Sequence, residues 1–239
     1  MAQPDIDALH NIFWRCLSGP HQHLSDARGQ ARRYRAGYSP IAAFADPSAP
    51  DLDSLAALSA PGESFYVAGW NGTGVSPDWQ IEVDATMVCM AWDGGPVPEP
   101  VTLGCRPLGA DDLPAVMALV DLTRPGPFGP HTLSMGEFLG HFDADGTLVA
   151  MAGERTRAGA WHEVSGICTH PDHQGQGLGR ALTHEVVRRQ LLRGETPFLH
   201  AMASNATARA MYRRLGFRER LETPIRVLRR LSPASAGSA

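Results

Sequence analysis

The chain has 239 residues, 43% of them hydrophobic, with 21 basic and 25 acidic side chains giving a formal net charge of -4. That length buries a large core in one domain or two, and the slight acidic excess gives no general electrostatic case for a nucleic-acid or anionic-membrane partner. The four cysteines, Cys16, Cys89, Cys105 and Cys168, form neither a CxxC pair nor a dense framework, which fits a reducing compartment. No apolar run reaches membrane-spanning length, and the opening Met1-Ala-Gln-Pro-Asp5 is neither basic nor followed by an apolar signal core, so a cytoplasmic protein is expected.

In chain order, Ile6, Leu9, Ile12, Phe13 and Cys16 share one helical face that ends at Gly19-Pro20, predicting an amphipathic helix. Arg32-Arg33 reads as a solvated helix face. Phe65 to Trp70 and Trp79 to Met90 read as strands, the second with Ile81, Val83, Ala85, Met87 and Cys89 alternating across the pleat. Asn71 to Gly74 is a turn that would make the two strands a hairpin. The stretch Asp93-Gly-Gly-Pro-Val-Pro-Glu-Pro100 continues neither a helix nor a central strand and reads as a linker. The expected division is therefore an N-terminal α+β region over 1–92, a linker over 93–100, a second domain over 101–231 and a disordered polar tail over 232–239.

Beyond the linker, Val101 to Arg106 reads as a strand, and Asp111 and Asp112 open an apolar-periodic helix running to Val120. Thr123 to His131 is a Gly- and Pro-rich loop. Glu137 to Phe142 and Thr147 to Arg155 are strand-like runs joined by a turn ending in Asp145-Gly146, and a turn at Arg157-Ala-Gly159 leads into a third run, Trp161 to Thr169.

Immediately after comes Gln174-Gly175-Gln176-Gly177-Leu178-Gly179-Arg180, a glycine-rich turn between a strand and a helix. Such a turn suits phosphate, because glycines let an anion approach the backbone and the helix start offers unpaired N–H groups. A dinucleotide fingerprint would need Gly or Ala where Arg180 or Leu182 stands, and a P-loop would need Lys-Ser/Thr after Gly179. The helix with Leu182, Val186, Val187, Leu191 and Leu192 on its apolar face closes at Arg193-Gly194. A strand over Pro197 to Ala203 follows, and then a helix capped by Asn205 runs from Ala206 to Leu215 before Gly216-Phe217.

The Gln174-x-x-Gly177-x-Gly179 loop, followed one helix and one strand later by Asn205 to Phe217 with Tyr212 and Leu215-Gly216-Phe217, resembles the two signatures of the GCN5-related N-acetyltransferase (GNAT) superfamily. The resemblance covers roughly Val101 to Arg230. It implies a GNAT fold of class α/β (α+β), with a central mixed, mostly antiparallel sheet flanked by helices. As in some two-domain members, the N-terminal α+β half would then be a reduced, non-catalytic GNAT-like domain that shapes the acceptor pocket or a homodimer contact. Acetyl-CoA is the implied co-substrate, with no metal, and the implied activity is acetylation of the primary amine of a small molecule by direct attack.

The same resemblance distributes the roles. Ile167, Cys168 and Thr169 would bind pantetheine through the backbone and supply an oxyanion donor, with Gly166 marking a bulge. Gln174, Gly175, Gln176, Gly177, Leu178, Gly179 and Arg180 would hold the pyrophosphate, and Asn205 would touch the cofactor, cap its helix, or do both. Glu163 would be the base, directly or through water, and Tyr212 would protonate the departing thiolate. Each role has a plain structural alternative: a strand-end glutamate, a packed tyrosine, an ordinary central strand. Cys168, without a charged neighbour in sequence, reads as a buried structural cysteine and not a nucleophile. His170 and His173 have metal-pair spacing without a further ligand set nearby, and His131 and Trp161 are candidates for the acceptor pocket or for the core. Two other functions fit these residues: a non-catalytic acyl-CoA-binding module, and an acetyltransferase acting on a protein N-terminus or lysine.

Overall fold

The computed structural model describes residues 5–93 and 95–232. From position 233 onward the tail expected to be disordered lies outside the described residues. A 3-10 turn over Ile6–Asn11 runs into α1 (Ile12–Ser18). Then come β1 (Ser25–Arg28), β2 (Ala31–Tyr34), β3 (Ile41–Phe44), α2 (Leu52–Ala57), β4 (Ser64–Ala68) and β5 (Trp79–Trp92). Past the Pro-rich segment lie β6 (Arg106–Pro107), α3 (Leu113–Thr123), β7 (Phe138–Phe142), β8 (Leu148–Ala158) and β9 (Trp161–Thr169). The chain finishes with α4 (Leu178–Leu192), β10 (Thr196–Met202), α5 (Ala206–Leu215) and β11 (Phe217–Arg230).

Among the described residues, eleven strands form one sheet in the order β1-β2-β3-β4-β11-β5-β10-β9-β8-β7-β6. Only the β3–β4 and β9–β10 pairings are parallel, so the sheet is mixed and mostly antiparallel, with helices on its faces, as the sequence implies. The predicted hairpin of β4 and β5 does not form. Instead β11 lies between them, pairing Ile225 with Ala68 on one side and with Ala85 on the other. Turn chemistry at Asn71 to Gly74 reports only a local reversal; β11, more than a hundred residues on, decides who pairs.

The alternation in β5 serves two cores. Met87, Cys89 and Ala91 pack toward α1 with Phe13 and Phe198, while Val88 and Met90 pack beneath α4 and α5 with Leu182, Val186 and Phe217. Although β5 precedes the Pro/Gly stretch at 93–100, it is seated between β10 and β11. Two smaller expectations are corrected. Val101 to Cys105 stays outside any strand, so the strand predicted there shrinks to Arg106–Pro107. Arg32 and Arg33 lie in β2 and not on a helix: Arg33 is buried and grips Glu63 with two hydrogen bonds of 2.6 and 2.9 Å. A buried guanidinium with a bidentate partner is stable in a strand, and such a partner, thirty residues away, leaves no local trace.

Two irregularities create the cleft. Strands β9 and β10 pair only from Trp161–Thr196 to Glu163–Phe198 and then part, each continuing with its outer neighbour. Within β9, the register against β8 slips by one residue between Cys168 and Ser165, and Gly166 takes φ +63° there. A Cβ at Gly166 would sit 2.8 Å from the Phe138 ring, so the bulge requires glycine on both conformational and steric grounds.

Candidate active site

The parted strands open into a cleft of about 980 Å³ that runs from the glycine loop to side chains of the N-terminal half. Its loop end is built by backbone geometry. Gly175 and Gly177 adopt φ +78° and +79°, and Gly177 caps α4 without any side-chain hydrogen bond to the first turn. The α4 N-terminus thus offers its N–H groups and dipole to a ligand and not to a capping residue. A Cβ at Gly175 would meet no protein atom within 4 Å, and one at Gly177 only the Arg180 guanidinium at 3.7 Å. The loop is therefore open in the way a pyrophosphate requires, and the donor set fits acetyl-CoA. Ile167, Cys168, Thr169, Gln174, Gly175, Gly177, Leu178, Gly179, Arg180 and Asn205 all line the cleft; Gln176 does not. Asn205 also caps α5, its side chain accepting the Ala208 N–H at 3.0 Å.

Past Glu163 the edge of β9 has no partner on the β10 side, leaving backbone N–H and C=O groups free for an extended ligand. Tyr212 reaches the cleft from α5 and is buried, which pushes its phenol pKa up to about 12. The hydroxyl remains a proton donor at any physiological pH. Burial likewise pushes the Cys168 thiol up to about 11, opposing any thiolate nucleophile.

Glu163 occupies the point where the strands part, and its side chain is 1% exposed. Oε1 accepts from Arg155 Nη2 at 2.8 Å and from His200 Nδ1 at 2.8 Å, and Oε2 accepts from Arg155 Nε at 3.1 Å and from the Thr156 N–H at 3.2 Å. Burial alone would raise the carboxyl pKa, but the Arg155 guanidinium and the His200 hydrogen bond hold it far below the usual carboxylate range. Burial opposes the His200 imidazolium, yet the Cys89 sulfur and the Glu163 carboxylate beside it bring its pKa up to about 9.

The opposite wall comes from the N-terminal half and β11. Phe13, Ile41, Tyr66, Met87 and Ile225 face the cleft. The loop after α3 is pinned against this wall: Ser39 Oγ and Arg155 Nη1 both donate to the Pro127 carbonyl, at 2.7 and 3.1 Å. Arg124, at the start of that loop, has φ +46°, the one positive φ outside glycine among the described residues. His131 lies against Gly37 and Tyr38 outside the cleft, and Trp161 is a core residue whose Nε1 donates to the Asp5 carbonyl at 2.9 Å. Among the described residues no group of three or more His, Cys, Asp or Glu is placed to hold a metal ion, and no helix is long and apolar enough to cross a membrane.

Sequence reading missed Arg155 and His200; it placed the N-terminal half at the pocket without naming Phe13, Ile41, Tyr66 or Met87 as lining residues. Strand parity could have found His200: in a parallel β9–β10 pair, a residue two beyond the neighbour of Glu163 projects to the same face.

The FR47-like protein family profile matches residues 138–227. A solved structure from Novosphingobium aromaticivorans, assigned to the GNAT family, superposes with a TM-score of 0.85 at 37% identity, covering 94% of this chain and 99% of the other. Among curated proteins, the mycothiol acetyltransferase of Beutenbergia cavernae is 34% identical over 131 residues, 53% of this chain and 41% of that protein. The [ribosomal protein bS18]-alanine N-acetyltransferase of Escherichia coli is 48% identical over 54 residues, 22% of this chain and 36% of that protein. The chain thus spans about two fifths of the length of these curated relatives. With a relative of 37% identity aligned over nearly the whole of both chains, and with both signatures placed at one cleft, the chain belongs to the GNAT family, the GCN5-related N-acetyltransferases.

Proposed function

We propose that this protein transfers the acetyl group of acetyl-CoA to the primary amine of a small molecule that has an apolar body and no second positive charge. The observation that carries the reading is the lining of this cleft: the glycine loop at one end, and Phe13, Ile41, Tyr66, Met87 and Ile225 at the other. Among its described lining residues Glu163 is the one acid, already paired with Arg155, while Arg124, Arg180 and Arg214 add positive charge. A polycationic acceptor would find no unpaired carboxylate there. The pinned Pro127 loop borders the cleft and narrows the room for an extended chain, which favours a compact molecule over a peptide.

When bound, acetyl-CoA supplies an activated thioester. The glycine loop and Arg180 hold the pyrophosphate, with Asn205 beside it, and the free edge of β9 over Ile167, Cys168 and Thr169 aligns the pantetheine arm and offers an N–H to the acetyl oxygen. Tyr212 donates its hydroxyl proton to the leaving sulfur. Glu163 governs proton removal from the amine at the acceptor end. In this reading residues 101–231 carry the donor site and residues 1–92 complete the acceptor wall.

Thiol release from acetyl-CoA, measured with 2-phenylethylamine, spermidine, kanamycin and a peptide beginning with alanine, tests the assignment. The aryl monoamine should exceed spermidine and kanamycin by at least about tenfold in kcat/KM. Preference for the peptide would replace the small-molecule reading with protein N-terminal acetylation, and tight acetyl-CoA binding without transfer to any amine would make the protein a binding module.

A further inference from the structure

We propose that His200 is the group that takes the proton from the acceptor amine, and that Glu163 positions His200 instead of taking that proton itself. This rests on the acetyl-transfer reading above. A carboxylate has about four acceptor sites on its two oxygens, and in Glu163 each oxygen already receives two N–H donors. It has no free acceptor site for an incoming ammonium or water, and the buried Arg155 guanidinium stabilises its anionic form.

His200 is placed differently. Phe198 is the last β10 residue paired with β9, and His200, two residues on, projects to the same face and lines the cleft. Its Nδ1 faces Glu163 Oε1 at 2.8 Å, and since an ionised carboxylate only accepts, Nδ1 carries a hydrogen. The neutral ring therefore keeps its lone pair on Nε2, the tautomer a proton acceptor needs. Phe13 and Phe198 hold the ring, with centroids 5.2 and 5.5 Å away. The titratable groups packed around it are Glu163 on β9, with Arg155 of β8 behind it, and Cys89, its register partner on β5; α1 presents the uncharged Phe13.

The step balances without any further reactant. As the amine nitrogen bonds to the acetyl carbon it loses one proton to His200 Nε2. The carbon–sulfur bond breaks with its electron pair going to sulfur, Tyr212 Oη gives sulfur a proton and regains one from solvent in the cleft, and His200 releases its own to that solvent, so both residues return to their starting states.

The test is steady-state acetylation of 2-phenylethylamine, joined to nitrogen NMR of the His200 ring. His200→Gln keeps an N–H for Glu163, so the fold should persist. Its kcat should fall by about a hundredfold or more, with KM for acetyl-CoA within about threefold of wild type. Imidazole in the buffer should restore part of the activity of His200→Ala, an effect that a merely structural role would not produce. In the wild type kcat should rise toward about pH 9, and Glu163→Gln should move that limb to lower pH, because removing the neighbouring anion makes the imidazolium easier to deprotonate. A His200→Gln enzyme within about threefold of wild-type kcat overturns the proposal. If the wild type binds acetyl-CoA but acetylates no amine at all, the acetyl-transfer reading fails on its own account. The NMR arm then decides His200 separately: a hydrogen on Nδ1 is expected, and a neutral ring protonated at Nε2 overturns the tautomer on which the inference stands.

Discussion

Tyr212 and Cys168 flank the same cleft, and burial raises both pKa values with opposite chemical consequences: the phenol stays a usable donor, while the thiol stays inert. Tyr212→Phe should therefore lower kcat by about ten- to a hundredfold with little change in KM for acetyl-CoA, measured in the same thiol-release assay. Two histidines bear on stability in opposite senses. His200 has a folded pKa of about 9, above its unfolded value, so its contribution is complete below pH ~6.5 and is lost as pH rises through about 9. His21 is buried neutral against Tyr34, and burial with nearby Arg157 depresses its pKa to about 4. Its neutral state is favoured above pH ~6.5, and stability falls as the pH drops from there toward 4. Each shift corresponds to on the order of 3 kcal/mol. Thermal unfolding followed against pH should show a maximum near pH 6.5. In His200→Gln the alkaline fall should shrink, and an unchanged alkaline limb would contradict the assignment to His200.

Among the elements, the glycine loop and its helix were the most legible. Their signals are local and physical: positive φ at Gly175 and Gly177, a C-cap at Gly216 with φ +108°, and the Asn205 side chain on the first turn of α5. Gly177→Ala should cost about 1–2 kcal/mol of left-handed strain and weaken acetyl-CoA binding by about tenfold in calorimetry, because the methyl enters the anion's approach. Gly74→Ala is the control: its φ is +70° and its surroundings are open, so it should carry the same strain with affinity unchanged. What stayed illegible was pairing. Glu163 was singled out by position, but Arg155 and His200 reach it from two different strands, and no single-strand pattern reports both registers. The four-residue strands β1 to β3 are too short to display a period.

At the scale of the molecule, the boundary written into Asp93 to Pro100 separates two stretches of chain that share one sheet. The proposed acceptor wall and donor site consequently depend on each other for their strands. A fragment of residues 101–232 lacks β5 and exposes the facing edges of β10 and β11 with the apolar side chains β5 covers. It should give no cooperative thermal transition by circular dichroism; a transition near that of the full chain would count against this interdependence.

The seat of β11 between β4 and β5 also governs how the protein is made. Both flanking strands are synthesised before residue 93, yet the strand that joins them ends at Arg230. At roughly 5–20 residues per second, two strand edges wait on the order of ten seconds for a partner still being synthesised. Premature termination anywhere before Phe217 strands them permanently. The danger of misassembly therefore belongs to the nascent chain, and soluble yield should respond to translation speed and chaperone supply far more than the finished protein's stability would suggest.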